Sequence, residues 1–132
     1  MKVVISPGHG GIDPGAVANN MKEKDLNLAI SLACQAELLR NGIEVVMTRV
    51  KDEDDPLKEQ IKEVNAANPD CAVTIHTNAG KGRGFEAYYS IGSSKGQVLA
   101  QLLEREVKLQ GQVSRGCKTR AQKNGKDYYG FV

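Results

Sequence analysis

Residues 2–11 read Lys2-Val3-Val4-Ile5-Ser6-Pro7-Gly8-His9-Gly10-Gly11. A short continuous apolar run broken by Pro-Gly predicts a strand buried on both faces, with a glycine-rich loop at its carboxyl end. Buried strands of this kind belong to parallel sheets covered by helices. The rest of the chain agrees. Residues 23–41 carry Leu26, Ile30, Ala33 and Leu38 among Leu28, Leu32 and Leu39, which predicts a helix with a broad apolar stripe. Gly42 stands where a left-handed residue closes a helix. Residues 43–48 predict a second strand. Asp55-Pro56 predicts the next helix start, a capping carboxylate followed by proline in the first turn, with Leu57, Ile61 and Val64 on one face and Asn68-Pro69 as the stop.

Residues 71–76 predict a third strand and residues 85–91 a fourth. Ser94-x-x-Gln97 reads as a capping box opening a helix that ends near Gly111, and one more short strand is expected beyond Arg115. The predicted class is α/β, a single twisted, largely parallel sheet with helices on both faces. With 132 residues, no repeats and no linker, the chain is expected to be one domain.

Composition excludes several functions. Charged residues make up 26% and hydrophobic ones 40%, as in folded globular proteins. A net charge of +2 with no basic block argues against nucleic acid and anionic membrane surfaces. No apolar run approaches the ~20 residues of a membrane-spanning helix, so no membrane insertion is expected. The sequence as written shows no signal peptide. Cys34, Cys71 and Cys117 are odd in number and scattered, which fits neither a disulfide framework nor a thiolate metal site.

Both histidines follow predicted strands, His9 after the first and His76 at the end of the third. In a parallel sheet these ends share one edge, the usual place for an α/β site. Glu23, at the head of the first helix, starts from the same edge. Two imidazoles and a carboxylate are a ligand set for zinc with one position open. Spacing alone leaves alternatives: hydrogen-bonded structural histidines, and a glutamate that serves the helix dipole. Cys71 is excluded as a further ligand, lying roughly 16 Å from His76 along a strand at ~3.3 Å per residue. The run Lys51-Asp52-Glu53-Asp54-Asp55 reads as solvated surface rather than a second metal site.

The stretches Ser6-Pro7-Gly8-His9-Gly10-Gly11-Ile12-Asp13-Pro14-Gly15-Ala16 and Lys22-Glu23-Lys24-Asp25-Leu26-Asn27 resemble the zinc-dependent N-acetylmuramoyl-L-alanine amidases of the type-3 class. So do Thr48-Arg49, Ile75-His76-Thr77-Asn78-Ala79, Gly84-Phe85-Glu86-Ala87-Tyr88-Tyr89 and Arg115-Gly116-Cys117-Lys118. The resemblance covers nearly the whole chain and implies that His9, Glu23 and His76 hold Zn2+. It implies hydrolysis of the amide between N-acetylmuramic acid and L-alanine in peptidoglycan, by an autolysin or endolysin acting on the cell wall. A separate wall-binding domain outside this chain is compatible with it. With no signal peptide, a phage-type lysin, a mother-cell enzyme or a trimmed secreted protein are the expected settings.

Two departures stand out. Gln60 occupies a position where the family usually has arginine. The family also continues beyond the segment like Tyr128-Tyr129-Gly130-Phe131-Val132 with a strand whose glutamate is taken as the catalytic acid/base, so the domain is expected to be truncated at its C-terminus. Glu86 is a candidate stand-in for that glutamate, or a substrate-binding or ligand-orienting residue paired with a cation such as Arg83. Asn78 is a candidate substrate donor or a turn residue. Two rival functions are a catalytically impaired zinc-binding wall-recognition or regulatory module, and a zinc peptidase of other specificity.

Overall fold

The computed structural model describes residues 1–80 and 82–131. They form two compact units, residues 1–80 with 131, and residues 82–130.

The first unit contains β1 (Lys2–Pro7), the small strands β2 (Val17–Ala18) and β3 (Met21–Lys22), α1 (Glu23–Arg40), β4 (Glu44–Met47), α2 (Leu57–Ala67) and β5 (Cys71–Ile75). Its sheet runs β4-β1-β5, with both pairings parallel. The expected α/β class with mostly parallel strands is therefore present. β1 is the central strand, and Val3, Val4 and Ile5 are buried, as the apolar run predicts. The chain leaves β1 toward β4 and then returns past β1 to β5. Right-handed crossovers place α1 and α2 on opposite faces of such a sheet. The order also reverses between β1 and β5, and the crevice at such a switch point opens at the strands' carboxyl ends.

α1 does not bury the stripe its leucines suggest. Its buried residues are Glu23, Lys24, Asn27 and Ser31, while Leu26, Ile30, Leu32 and Leu39 are exposed. The apolar residues surround the helix too widely to select one face. Of the buried residues, Glu23, Lys24 and Asn27 have bonding partners in the loops at the sheet's end. Gly42, with φ +73°, closes the helix as expected.

Two predicted caps shift. α2 takes Pro56 as N-cap without a side-chain cap, because the Asp55 carboxylate accepts from Thr48 Oγ1 at 2.7 Å instead. Gln60, where the resemblance implies arginine, is buried. It accepts from Ser6 Oγ at 2.8 Å and donates to the Asp55 carbonyl at 2.6 Å. A neutral pair fills this position.

The second unit is a β-α-β element of β6 (Phe85–Tyr88), α3 (Ser94–Leu109) and β7 (Ser114–Lys118), with β6 and β7 parallel. The cap of α3 is Ser93 rather than Ser94: its Oγ accepts from the Gly96 N–H at 3.0 Å. The β6-β7 register slips between Phe85 and Ala87, where β7 carries an extra residue beside Gly116 at φ +93°. No described helix is long and apolar enough to cross a membrane.

Candidate metal centre

The loop after β1 holds His9 in the left-handed region, φ +62°, between Gly8 and Gly10. A non-glycine residue keeps that conformation only where its surroundings impose it. Here they do. Asp13 Oδ2 lies 2.8 Å from His9 Nδ1, and Asp13 Oδ1 accepts the Gly15 N–H at 3.0 Å. The imidazole and the Gly15 N–H hold the Asp13 carboxyl below its ordinary range. With Nδ1 engaged, His9 turns Nε2 toward Glu23 Oε2, 3.4 Å away.

The acidic run beyond β4 also grips this loop, so it is not simply solvated surface. Asp52 accepts from the Gly11 N–H and pairs with Lys24 Nζ, at 2.8 and 2.6 Å. Asp54 accepts from the Ile12 N–H at 2.8 Å. Backbone donors in the loop find carboxylates, which a charge count alone does not reveal.

Glu23 starts α1 and is 6% exposed. Burial pushes its carboxyl up, but bonds from the Ala16 N–H, His76 and Asn27 and the charge of His9 outweigh this and hold it below its ordinary value. Glu23 Oε1 lies 3.0 Å from His76 Nδ1 and accepts the Thr77 N–H at 3.1 Å. The His76 ring rests on Gly8, whose absent Cβ would fall 2.3–2.7 Å from three ring atoms. Asn27, fully buried, links the two loops by donating to the Gly8 carbonyl and accepting from Thr77 Oγ1.

One donor atom from each of His9, Glu23 and His76 lies within 4.8 Å of the others, and the two ring centroids are 5.0 Å apart. Zinc bonds of ~2.0–2.2 Å in a tetrahedral shell separate neighbouring donors by about 3.3–3.6 Å. Glu23 turns Oε2 to His9 at 3.4 Å and Oε1 to His76 at 3.0 Å, so one carboxylate reaches both imidazoles, and this N/O donor set within 4.8 Å is of the kind such an ion takes. On one side Glu23 borders a cleft of about 140 Å³, lined also by Ala16, Ala18, Met21, Leu26, Thr77, Asn78 and Ala79.

Part of that wall is the β2-β3 hairpin, which lies in the segment between β1 and α1. Asn19 and Asn20 at its turn both have positive φ, +50° and +60°. Consecutive asparagines are the available signal, since they tolerate the left-handed conformation a two-residue hairpin needs. Asn78 is also on the wall of this cleft. Glu86 lies in the second unit, where Lys118 Nζ at 2.8 Å and Arg115 Nη1 at 3.5 Å face its carboxylate.

A parallel α/β sheet with two imidazoles and a carboxylate at its switch point defines a class of domain equipped to hold one metal ion beside an open cleft. The comparisons then name the family: the profile described as N-acetylmuramoyl-L-alanine amidase matches residues 3–130, and the chain belongs to that family. It is 39% identical over 90 residues to the sporulation-specific N-acetylmuramoyl-L-alanine amidase of Bacillus subtilis (strain 168), covering 67% of this chain and 35% of that protein. It is 38% identical over 125 residues to the endolysin of Bacillus phage SPP1, covering 88% of this chain and 46% of the endolysin. The chain thus spans less than half the length of these relatives.

Among solved structures, Cwp6 from Clostridium difficile superposes with a TM-score of 0.90 at 39% identity, over 96% of this chain and 21% of that one. The catalytic domain of CwlV, an amidase from Bacillus (Paenibacillus) polymyxa, gives 0.80 at 32% identity, over 88% and 68%.

Proposed function

We propose that His9, Glu23 and His76 hold Zn2+ and that the chain serves hydrolysis of the amide between N-acetylmuramic acid and L-alanine in the cell wall. The convergence of these three side chains at the switch point, in a family of amidases, carries the reading. Zinc held by three protein groups supplies Lewis acidity, polarising a carbonyl and making water acidic near neutral pH.

The chain's own residues do the rest. Asp13 fixes the His9 ring so that Nε2 faces the centre. Glu23 presents one carboxylate to both imidazoles. The cleft is far smaller than the ~300–1,000 Å³ of pockets for drug-sized ligands, and admits the small alkyl groups that flank this amide. Asn78 on its wall is suited to donate to the substrate's peptide carbonyls. Glu86, ion-paired with Lys118 and Arg115, is assigned no proton-transfer step.

The test is to load the chain with zinc, add purified peptidoglycan and follow new free L-alanine amino groups. Release that disappears on chelation and in Glu23→Ala supports the reading. Zinc binding with retention on the wall and no release would instead identify a recognition module. Cleavage of simple acyl-amino acids with muropeptides untouched would identify a peptidase.

A further inference from the structure

Arg49, just beyond β4, is 2% exposed and the largest of the fully buried side chains. Its hydrogen bonds all go to backbone carbonyls: Nε donates to Pro7 at 3.2 Å, Nη1 to Lys51 at 3.2 Å, and Nη2 to Gly8 at 3.2 Å and Lys24 at 2.9 Å. Burial pulls the guanidinium down from its ordinary value, and the more distant Asp55, Asp52, Asp25 and Glu53 oppose that. Burying a cation is costly, so the choice of acceptors is informative.

Those acceptors adjoin the candidate ligands. Gly8 precedes His9 and forms the seat of the His76 ring. Lys24 follows Glu23. Gly10 follows His9 and lies against the Arg49 stem, where a Cβ would come 3.1 Å from Nε and 3.2 Å from Cδ. One planar cation thus touches the backbone on both sides of His9, beside Glu23 and beneath His76.

We infer that Arg49 is a positioning residue for the metal centre: its guanidinium ties the His9 loop to the first turn of α1 and so sets the spacing of all three ligands. The inference rests on the proposed metal-binding reading. Lysine cannot replace it, because a single ammonium on a flexible stem lacks the rigid fork that reaches several carbonyls at once.

The test measures Zn2+ affinity by competition with a chromophoric chelator, and the visible absorption of the Co2+-loaded chain. Arg49→Lys is compared with Gln60→Ala, which removes a buried polar group bonded to Ser6 and Asp55 rather than beside the ligands. The expected result is about a 10–100-fold loss of affinity in Arg49→Lys, with an altered Co2+ spectrum. Gln60→Ala should lose thermal stability and keep both metal readouts.

A second measurement covers variants that fail to fold: in the wild-type chain, zinc titration should shift the Arg49 Nε–H resonance. Unchanged affinity and spectrum in a folded Arg49→Lys, or an Arg49 resonance indifferent to zinc, overturns the inference. A wild-type chain that takes no zinc overturns the metal reading itself, a separate outcome.

Discussion

The two loops that bring histidines to the crevice are held in opposite ways. The loop after β1 is strapped from many sides: Asp13 from within, Asp52 and Asp54 from the acidic run, and Arg49 from below. The loop after β5 is bonded to Glu23 and Asn27, and the His76 ring rests on the bed of Gly8. Exposure follows, 26% for the His9 side chain and 41% for His76. The scaffold places the first histidine, whereas the second is placed largely by Glu23, itself a proposed ligand. A defect at Glu23 therefore disturbs two candidate ligands, while loss of one carboxylate strap disturbs only the loop of His9.

Glu23→Ala should give the largest effect. It removes a donor and the acceptor that orients His76, so zinc affinity should fall by more than the ~100-fold that loss of an outer partner costs. Isothermal titration checks this, and a smaller loss would mean that His76 is fixed by other means.

Gly8→Ala comes next. Its backbone is not in the left-handed region, so the fold should survive, but the new methyl would overlap the His76 ring. About a 10–100-fold loss of affinity is expected, with far-UV circular dichroism unchanged.

Asp13→Asn should cost about tenfold, at the low end of outer-partner effects, because the amide still offers an oxygen to His9 Nδ1. Chelator competition measures it. Equality with Glu23→Ala would erase the contrast between the loops.

Asp52→Asn is the mildest change, and its signature is pH. The Lys24 ammonium and the Gly11 N–H hold the Asp52 carboxyl below its ordinary value. Its folded state therefore prefers the ionised form. The stability gap between wild type and Asp52→Asn should be complete above the unfolded carboxyl's ordinary value. It should close as pH falls through the lower folded value. Urea denaturation across the acidic range reads this, and a gap that widens toward acid would contradict the strap.

The ligand candidates were legible because both histidines follow strand-forming runs and topology carries strand ends to one edge. β1 was legible because Val3-Val4-Ile5 has no polar interruption. The supports were not. Leu26, Ile30, Leu32 and Leu39 advertise an apolar face on α1, yet the helix buries Lys24 and Asn27 beside Glu23. Hydrophobic periodicity cannot register a polar seam whose partners are carbonyls and imidazoles distant in sequence. Arg49 and the acidic run escaped for the same reason: their partners are backbone groups of a loop, and backbone groups have no letter in a sequence.

The position of β1 between β4 and β5 has a consequence for how the centre comes into being. His9 is made before Glu23 and His76, but its strand has no neighbour until β4 appears, and His76 cannot approach before β5 has closed the other side. Pairings between such distant segments form slowly, since loop closure precedes any gain. A nascent chain released only as far as α2 would carry His9 and Glu23 without their third partner. On the proposed metal-binding reading, capture of the ion should then be coupled to the completion of residues 1–80, the ion acting less as an early nucleus than as a lock on an assembled sheet.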